Sequence, residues 1–121
     1  MTAMPHIASL RRLTKRAQFL NAARGTRAGR TAFSLQSIAV ETAEPGVGLT
    51  VTKKTGNSPE RNRIKRRLRA ALRACEADFQ PQHDYVLVGR REALTLPFSR
   101  VVSDLSSAIA KVHAKRATPG T

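Results

Sequence analysis

Between Lys53 and Arg73 the chain reads KKTGNSPERNRIKRRLRAALR, in which nine lysines and arginines stand against one acid, Glu60. Asn62, Arg66, Arg69 and Arg73 recur three or four residues apart, so they share one face of a helix, with Arg61 and Lys65 flanking it. Like charges at that spacing destabilise an isolated helix by about 0.2–0.5 kcal/mol per pair. A face that served solubility alone would mix the two signs. The chemistry this set can do is to neutralise a dense polyanion, and arginine, which outnumbers lysine here, can bridge two phosphate oxygens or lie flat on a base. Lys53 and Lys54 extend the cationic run towards the preceding strand.

No catalytic set of protein side chains accompanies it. The eight acids, from Glu41 to Asp104, show no clustered pattern of the kind that holds two metal ions. His6, His83 and His113 are scattered, and Cys75 stands alone. No disulfide, no protein-held metal and a reducing compartment are therefore expected.

Length and charge bound the rest. At 121 residues and 13.2 kDa the chain has room for one domain, read as residues 1–121 with an ordered core over about 10–114 and loose termini. The net charge is +14, from 22 basic and 8 acidic residues, and self-repulsion on that scale calls for an anionic partner. Hydrophobic residues make up 40% of the chain, enough for a folded core, so this is no disordered polycation. No apolar run approaches the roughly 18–20 residues that cross a bilayer, and a cytoplasmic protein with no membrane partner is expected. Residues 1–40 contain no acid, a bias shared with organellar transit peptides; the rival reading is that RRLTKRAQFLNAARG belongs to the domain and widens its cationic surface.

The elements that must position the basic residues follow from periodicity. A first helix is expected from Thr14, an N-cap, to near Gly25, with Leu13, Ala17 and Leu20 as its buried stripe. Arg12, Arg16, Phe19 and Ala23 form a second stripe, on which Phe19 either stacks a base or widens the core. GTRAGR, residues 25–30, reads as a basic loop. AFSLQSIAV, residues 32–40, reads as a strand with imperfect alternation that a bulge or twist would explain. Val47, Leu49 and Val51 alternate with Thr50, Thr52 and Lys54 in the clearest strand. Gly56 and Asn57 then supply a turn, Ser58 a cap, and Pro59 a first helical position; Ile64, Leu68, Ala71 or Leu72, and Cys75 form the buried stripe of the basic helix. YVLVG, apolar at consecutive positions, suits a central strand covered on both faces. After Pro97 a last helix buries Phe98, Val101, Val102, Leu105, Ile109 and Val112. The order is helix, two or three strands, basic helix, strand, helix. A helix-turn-helix is missing, because strands flank the basic helix on both sides, which favours RNA, read by shape and backbone, over duplex DNA. A structural protein of the ribosome or its assembly, and a DNA-binding transcription factor, are the rival readings.

In TVTKKTGNSPERNRIKRRLRAALR the sequence resembles the protein subunit family of bacterial ribonuclease P, whose signature is a strand ending in basic residues, a Gly-Asn turn and a helix opening Arg-Asn-Arg. Gly56, Asn57, Arg61, Asn62, Arg63, Ile64, Lys65 and Arg66 match it in order and spacing, and the likeness extends from LTKRAQFL to FSRVVSDLSSAIAKV. The resemblance implies an α+β fold, a single-domain α/β sandwich on a mixed sheet, with a left-handed β-α-β crossover through the basic helix that the usual handedness rule would not predict. It implies that Lys53, Lys54, Arg61, Asn62, Arg63, Lys65, Arg66, Arg69 and Arg73 contact a catalytic RNA. It further implies a cleft for the single-stranded 5' leader of precursor tRNA, with Arg16, Phe19 and Phe33 lining it. Ala23 and Gln36 stand where relatives often carry further aromatics. The implied reaction is phosphodiester hydrolysis at the mature 5' end of tRNA, with magnesium held mainly by the RNA and no obligate protein partner.

Overall fold

Tyr85, Val86, Leu87 and Val88 are apolar in succession because the strand they form is covered on both sides. That strand, β5 (His83–Gly89), is the middle of a five-stranded sheet in the computed structural model, which describes residues 10–117. The other strands are β1 (Arg11–Arg12), β2 (Thr26–Gly29), β3 (Phe33–Ala39) and β4 (Gly46–Thr50), and the spatial order is β1-β4-β5-β3-β2. β4 runs parallel to β1 and β5, whereas β3 runs antiparallel to β2 and β5, giving the mixed sheet that was expected. The helix α2 (Ser58–Ala74) links the parallel pair β4 and β5, and α3 (Phe98–Ala117) packs beside it. Against the opposite face lies α1 (Arg16–Ala22).

The larger core lies between the sheet and the α2/α3 layer. Ile64, Leu68, Ala71 and Leu72 of α2 and Val101, Leu105, Ile109 and Val112 of α3 close over Phe33, Leu35, Tyr85 and Leu87. Phe98, expected in that stripe, is 42% exposed at the first turn of α3, and Ala108 is buried further along. A smaller core on the other face joins Leu13 and Ala22 to Val86, with Phe19, Ile38 and Val88 at its margin.

Three local expectations need correction. The first helix spans Arg16–Ala22 and is shorter than the sequence suggests; the Gln18 carboxamide accepts from the N–H groups of Thr14 and Lys15, each at 3.0 Å, and closes its start. Its inward face is Phe19 and Ala22, so Ala17 is exposed and Leu20 is 55% exposed, while Leu13 is buried ahead of the helix. GTRAGR is no loop, because Thr26–Gly29 form the edge strand β2, in which only Ala28 has to be buried; one small apolar residue is too weak a pattern to announce a strand. No bulge interrupts β3, whose register with β5 is unbroken from Phe33↔Gly89 to Ala39↔His83. Its alternation looks imperfect because both faces are covered, Phe33 and Leu35 by the α2/α3 layer and Ile38 by α1.

The histidines are less scattered than their spacing suggests. The rings of His83 and His113 meet edge to face at 4.7 Å, and the Tyr85 hydroxyl, which accepts from the Gln80 N–H at 2.9 Å, shares a hydrogen bond of 2.6 Å with Nε2 of His113. This chain of contacts fastens the far end of α3 to the start of β5; burial pushes the Tyr85 hydroxyl up to about 12, keeping it protonated. His6 lies outside the described residues, as do residues 1–9 and 118–121 of the termini expected to be loose, whereas residues 115–117 continue α3 past the expected end of the ordered core.

Candidate nucleic-acid interface

The start of α2 is built around its one acid. Asn57, not Ser58, is the N-cap: its Oδ1 accepts the Glu60 N–H, and Glu60 Oε1 accepts the Asn57 N–H, both at 2.9 Å. This reciprocal capping box satisfies two N–H groups that a helix start leaves unpaired. The Asn57 backbone is extended, so its role is as a cap and not as a left-handed turn residue. Glu60 also takes a two-pronged contact from Arg91, at 3.0 Å from Nη1 and 2.8 Å from Nη2. Arg91 first, and the Asn57 N–H second, hold the Glu60 carboxyl down to about 2. The single negative charge of the basic segment is thereby neutralised. At Gly56 a side chain would place Cβ 2.5 Å from Glu60 Oε1 and 2.9 Å from Arg91 Nη1, so it would push the two charged groups of the clasp aside.

The cations around this clasp divide into two groups. Arg61 is turned back on its own turn, donating to the Gly56 carbonyl at 2.8 Å and to Ser58 Oγ at 3.1 Å. Arg67, one of the nine cations but absent from the expected contact set, is structural: it donates to the carbonyls of Ala93 at 2.5 Å and Leu96 at 2.6 Å, strapping the loop before α3 to α2. Asn62, Arg63, Arg66, Arg69 and Arg73 are exposed, Lys65 is half-buried beside them, and Lys53 and Lys54 are exposed in a short 3-10 turn after β4. No local pattern points to Arg91, which lies 31 residues from its partner. Arg67 is better signalled, since it directly precedes the buried Leu68.

On the opposite face of the sheet α1 is too short to cover the strands beneath it. A cleft of about 500 Å³ remains, floored by Gln36, Val86 and Val88 and bordered by Arg16, Phe19 and Leu20. Phe19 rests on β4 at Gly48, where an added Cβ would lie 2.7 Å from the ring, so the missing side chain is what lets the ring settle. Phe33 has to be withdrawn from this cleft. It is fully buried, on the other side of the sheet, in the core under α2 and α3. Gln36 does face the cleft, and Ala23 is exposed past the end of α1. Leu20, assigned by spacing to the core, borders the cleft instead, and Val86 and Val88 supply its floor.

Among the described residues no three histidine, cysteine or acidic side chains converge on a point that could hold a metal ion. No helix among them is long and apolar enough to cross a membrane.

Comparison with known proteins agrees with this geometry. The family model described as Ribonuclease P matches residues 7–113. A ribonuclease P protein component of Brucella suis is 44% identical over 109 residues, covering 81% of this chain and 77% of the relative. Another, from Caulobacter vibrioides, is 37% identical over 124 residues, covering all of this chain and 83% of its own length. The RNase P proteins of Staphylococcus aureus and Thermotoga maritima share the fold: each is 24% identical, with TM-scores of 0.67 and 0.69, and they cover 84% and 79% of this chain and 95% and 92% of their own. The mixed sheet, the capped basic helix and these matches together mean that the chain belongs to the ribonuclease P protein family.

Proposed function

We propose that this protein docks on a catalytic RNA through α2 and Lys53–Lys54, and holds the 5' leader of precursor tRNA in the cleft beside α1. The observation that carries the reading is the exposed, one-signed face of α2, whose only acid is neutralised by Arg91 and whose outward cations Arg63, Arg66, Arg69 and Arg73 form no ion pair among the described residues. Such a face binds phosphate by releasing counterions, and its affinity falls steeply with salt. Across the sheet, Arg16 supplies a charge for the leader backbone and Phe19 a ring for a base, over a floor of Gln36, Val86 and Val88.

The protein's part in cleavage on this reading is electrostatic and positional. Its donor set does not suit a resident magnesium ion, since no cluster of ligating side chains exists among the described residues. No step therefore runs through a protein-bound metal, and the hydrolytic chemistry is assigned to the RNA. The side chains lower the repulsion between two RNAs and fix the leader relative to the scissile phosphate, which reduces the divalent ion the reaction requires.

Reconstitution tests this. The protein, mixed with a bacterial ribonuclease P RNA at limiting magnesium, is expected to restore cleavage of precursor tRNA at the mature 5' end. Identical cleavage with and without the protein would overturn the reading, and RNA binding that ignores the leader would favour a purely structural RNA-binding role.

A further inference from the structure

Adjoining the leader cleft, with which it shares Thr14, Phe19 and Leu49, a second groove of about 690 Å³ opens between β1 and α2. Its apolar lining comes from Leu10, Leu13, Phe19, Val47, Leu49 and Leu72. Its cations are Arg12 on the β1 side and Lys65, Arg69 and Arg73 on α2, and no acid among the described residues lines it. Arg11 also borders the groove, but its guanidinium is held by Asp84 at 2.6 Å.

The groove exists because β1 is only two residues long. β1 pairs with β4 through Arg11↔Gly46 and Arg12↔Val47 and goes no further. In a parallel ladder a strand residue turns its N–H and C=O towards the same neighbour, and residues two apart face the same way. Val47 faces β1 and accepts the Leu13 N–H at 3.0 Å. Leu49 therefore turns its N–H and C=O to that same side, past the point where β1 has ended. The groove thus brings together an apolar surface suited to the face of a base, one donor and one acceptor suited to its edge, and cations suited to the phosphates on either side.

The geometry points to this groove as a slot for one unpaired nucleotide of the catalytic RNA, displaced from its own stack and held against α2. Lys65, Arg69 and Arg73 belong to α2, the helix that the reading above assigns to that RNA, and the inference rests on that assignment. The precursor leader lies across Phe19, in the other cleft.

A photocrosslinker placed at the groove provides the test. Cys75 is buried and its thiol is pushed up to about 11, chiefly by burial, so a Leu10→Cys chain carries one reactive thiol for an azidophenacyl group. With catalytic RNA alone, the crosslink is expected at one unpaired nucleotide or two adjacent ones. In parallel, Arg12→Glu, a change at an exposed site, is expected to weaken binding of the catalytic RNA about tenfold and to leave the preference for precursor over mature tRNA unchanged. Leu20→Ala, at a residue that borders the leader cleft and not this groove, is expected to do the reverse. Crosslinks to the leader in the ternary complex, crosslinks confined to paired RNA, or an unaltered affinity for Arg12→Glu would each overturn the slot while leaving the wider reading intact. Failure of the unmodified protein to bind the catalytic RNA would overturn that reading as well. Equal thermal midpoints for the variants and the parent exclude misfolding as the source of a weaker affinity, and Arg12→Ala serves instead if Glu lowers the midpoint.

Discussion

Two phenylalanines show how much a single side chain's meaning depends on which side of the sheet it meets. Phe19 lies half-exposed on Gly48, and Phe33 lies at 0% exposure under the α2/α3 layer. From the sequence both are aromatics near basic residues, and the resemblance puts them in one cleft; strand parity alone does not say which face α1 covers. The separation predicts opposite phenotypes. Phe33→Ala removes a fully buried ring and should cost about 3–5 kcal/mol of stability, seen as a lower denaturation midpoint in urea, with no selective effect on leader binding. Phe19→Ala should leave the midpoint much closer to that of the parent and lower the affinity for precursor tRNA more than for mature tRNA. Equal weakening for the two tRNAs would remove Phe19 from the leader site.

At the scale of the element, legibility follows length and the number of neighbours. α2 is readable from its periodicity because its 17 residues repeat an apolar stripe on one side and cations on the other. β5 is readable because both faces are covered. The limits of α1, and the strands β2 and β1, escape a reading of the sequence because each element is short and buries at most one residue, so tertiary packing, not local pattern, decides where they lie. The clasp on α2 is half legible: the Asn57–Glu60 spacing is a capping signature, whereas Arg91 comes from the far side of β5. Its pH dependence has a definite sign. Glu60 falls from an ordinary 4.5 to about 2 on folding, so its contribution is fully present above about 4.5 and fades as pH falls towards 2. Urea unfolding of the parent and of Glu60→Gln should therefore differ by a constant amount near neutrality, converge between about pH 4.5 and 2, and differ less in high salt because the pair is partly exposed. A gap that widens on acidification would mean that Glu60 is not held by Arg91.

The whole molecule is electrically lopsided. β4 and β5 are parallel, so Lys53, Lys54, Arg90, Arg91 and the first turn of α2 gather at the end where both strands finish. Five of the eight acids, Glu41, Glu44, Glu76, Asp78 and Asp84, lie in or next to the turns at the opposite end, where β3 finishes and β5 begins. A chain with a net charge of +14 arranged this way has one cationic pole and one long cationic ridge leading away from it, a distribution that would orient an approaching polyanion before any contact forms. Charge count announces the polyanion, but only the parallel pairing of β4 with β5 reveals the pole. Arg66 and Arg69 sit on the exposed ridge, with their side chains outside the apolar stripe of Ile64 and Leu68. Replacing both with Ala should leave the helical circular-dichroism signal unchanged and raise the dissociation constant for the catalytic RNA at low salt. The slope of log affinity against log salt concentration should become shallower by about 0.7–0.9 for each phosphate that is no longer neutralised. A slope that stays the same while affinity falls would mean that the two arginines act through the shape of the helix and not through phosphate, and would move the docking ridge elsewhere on the molecule.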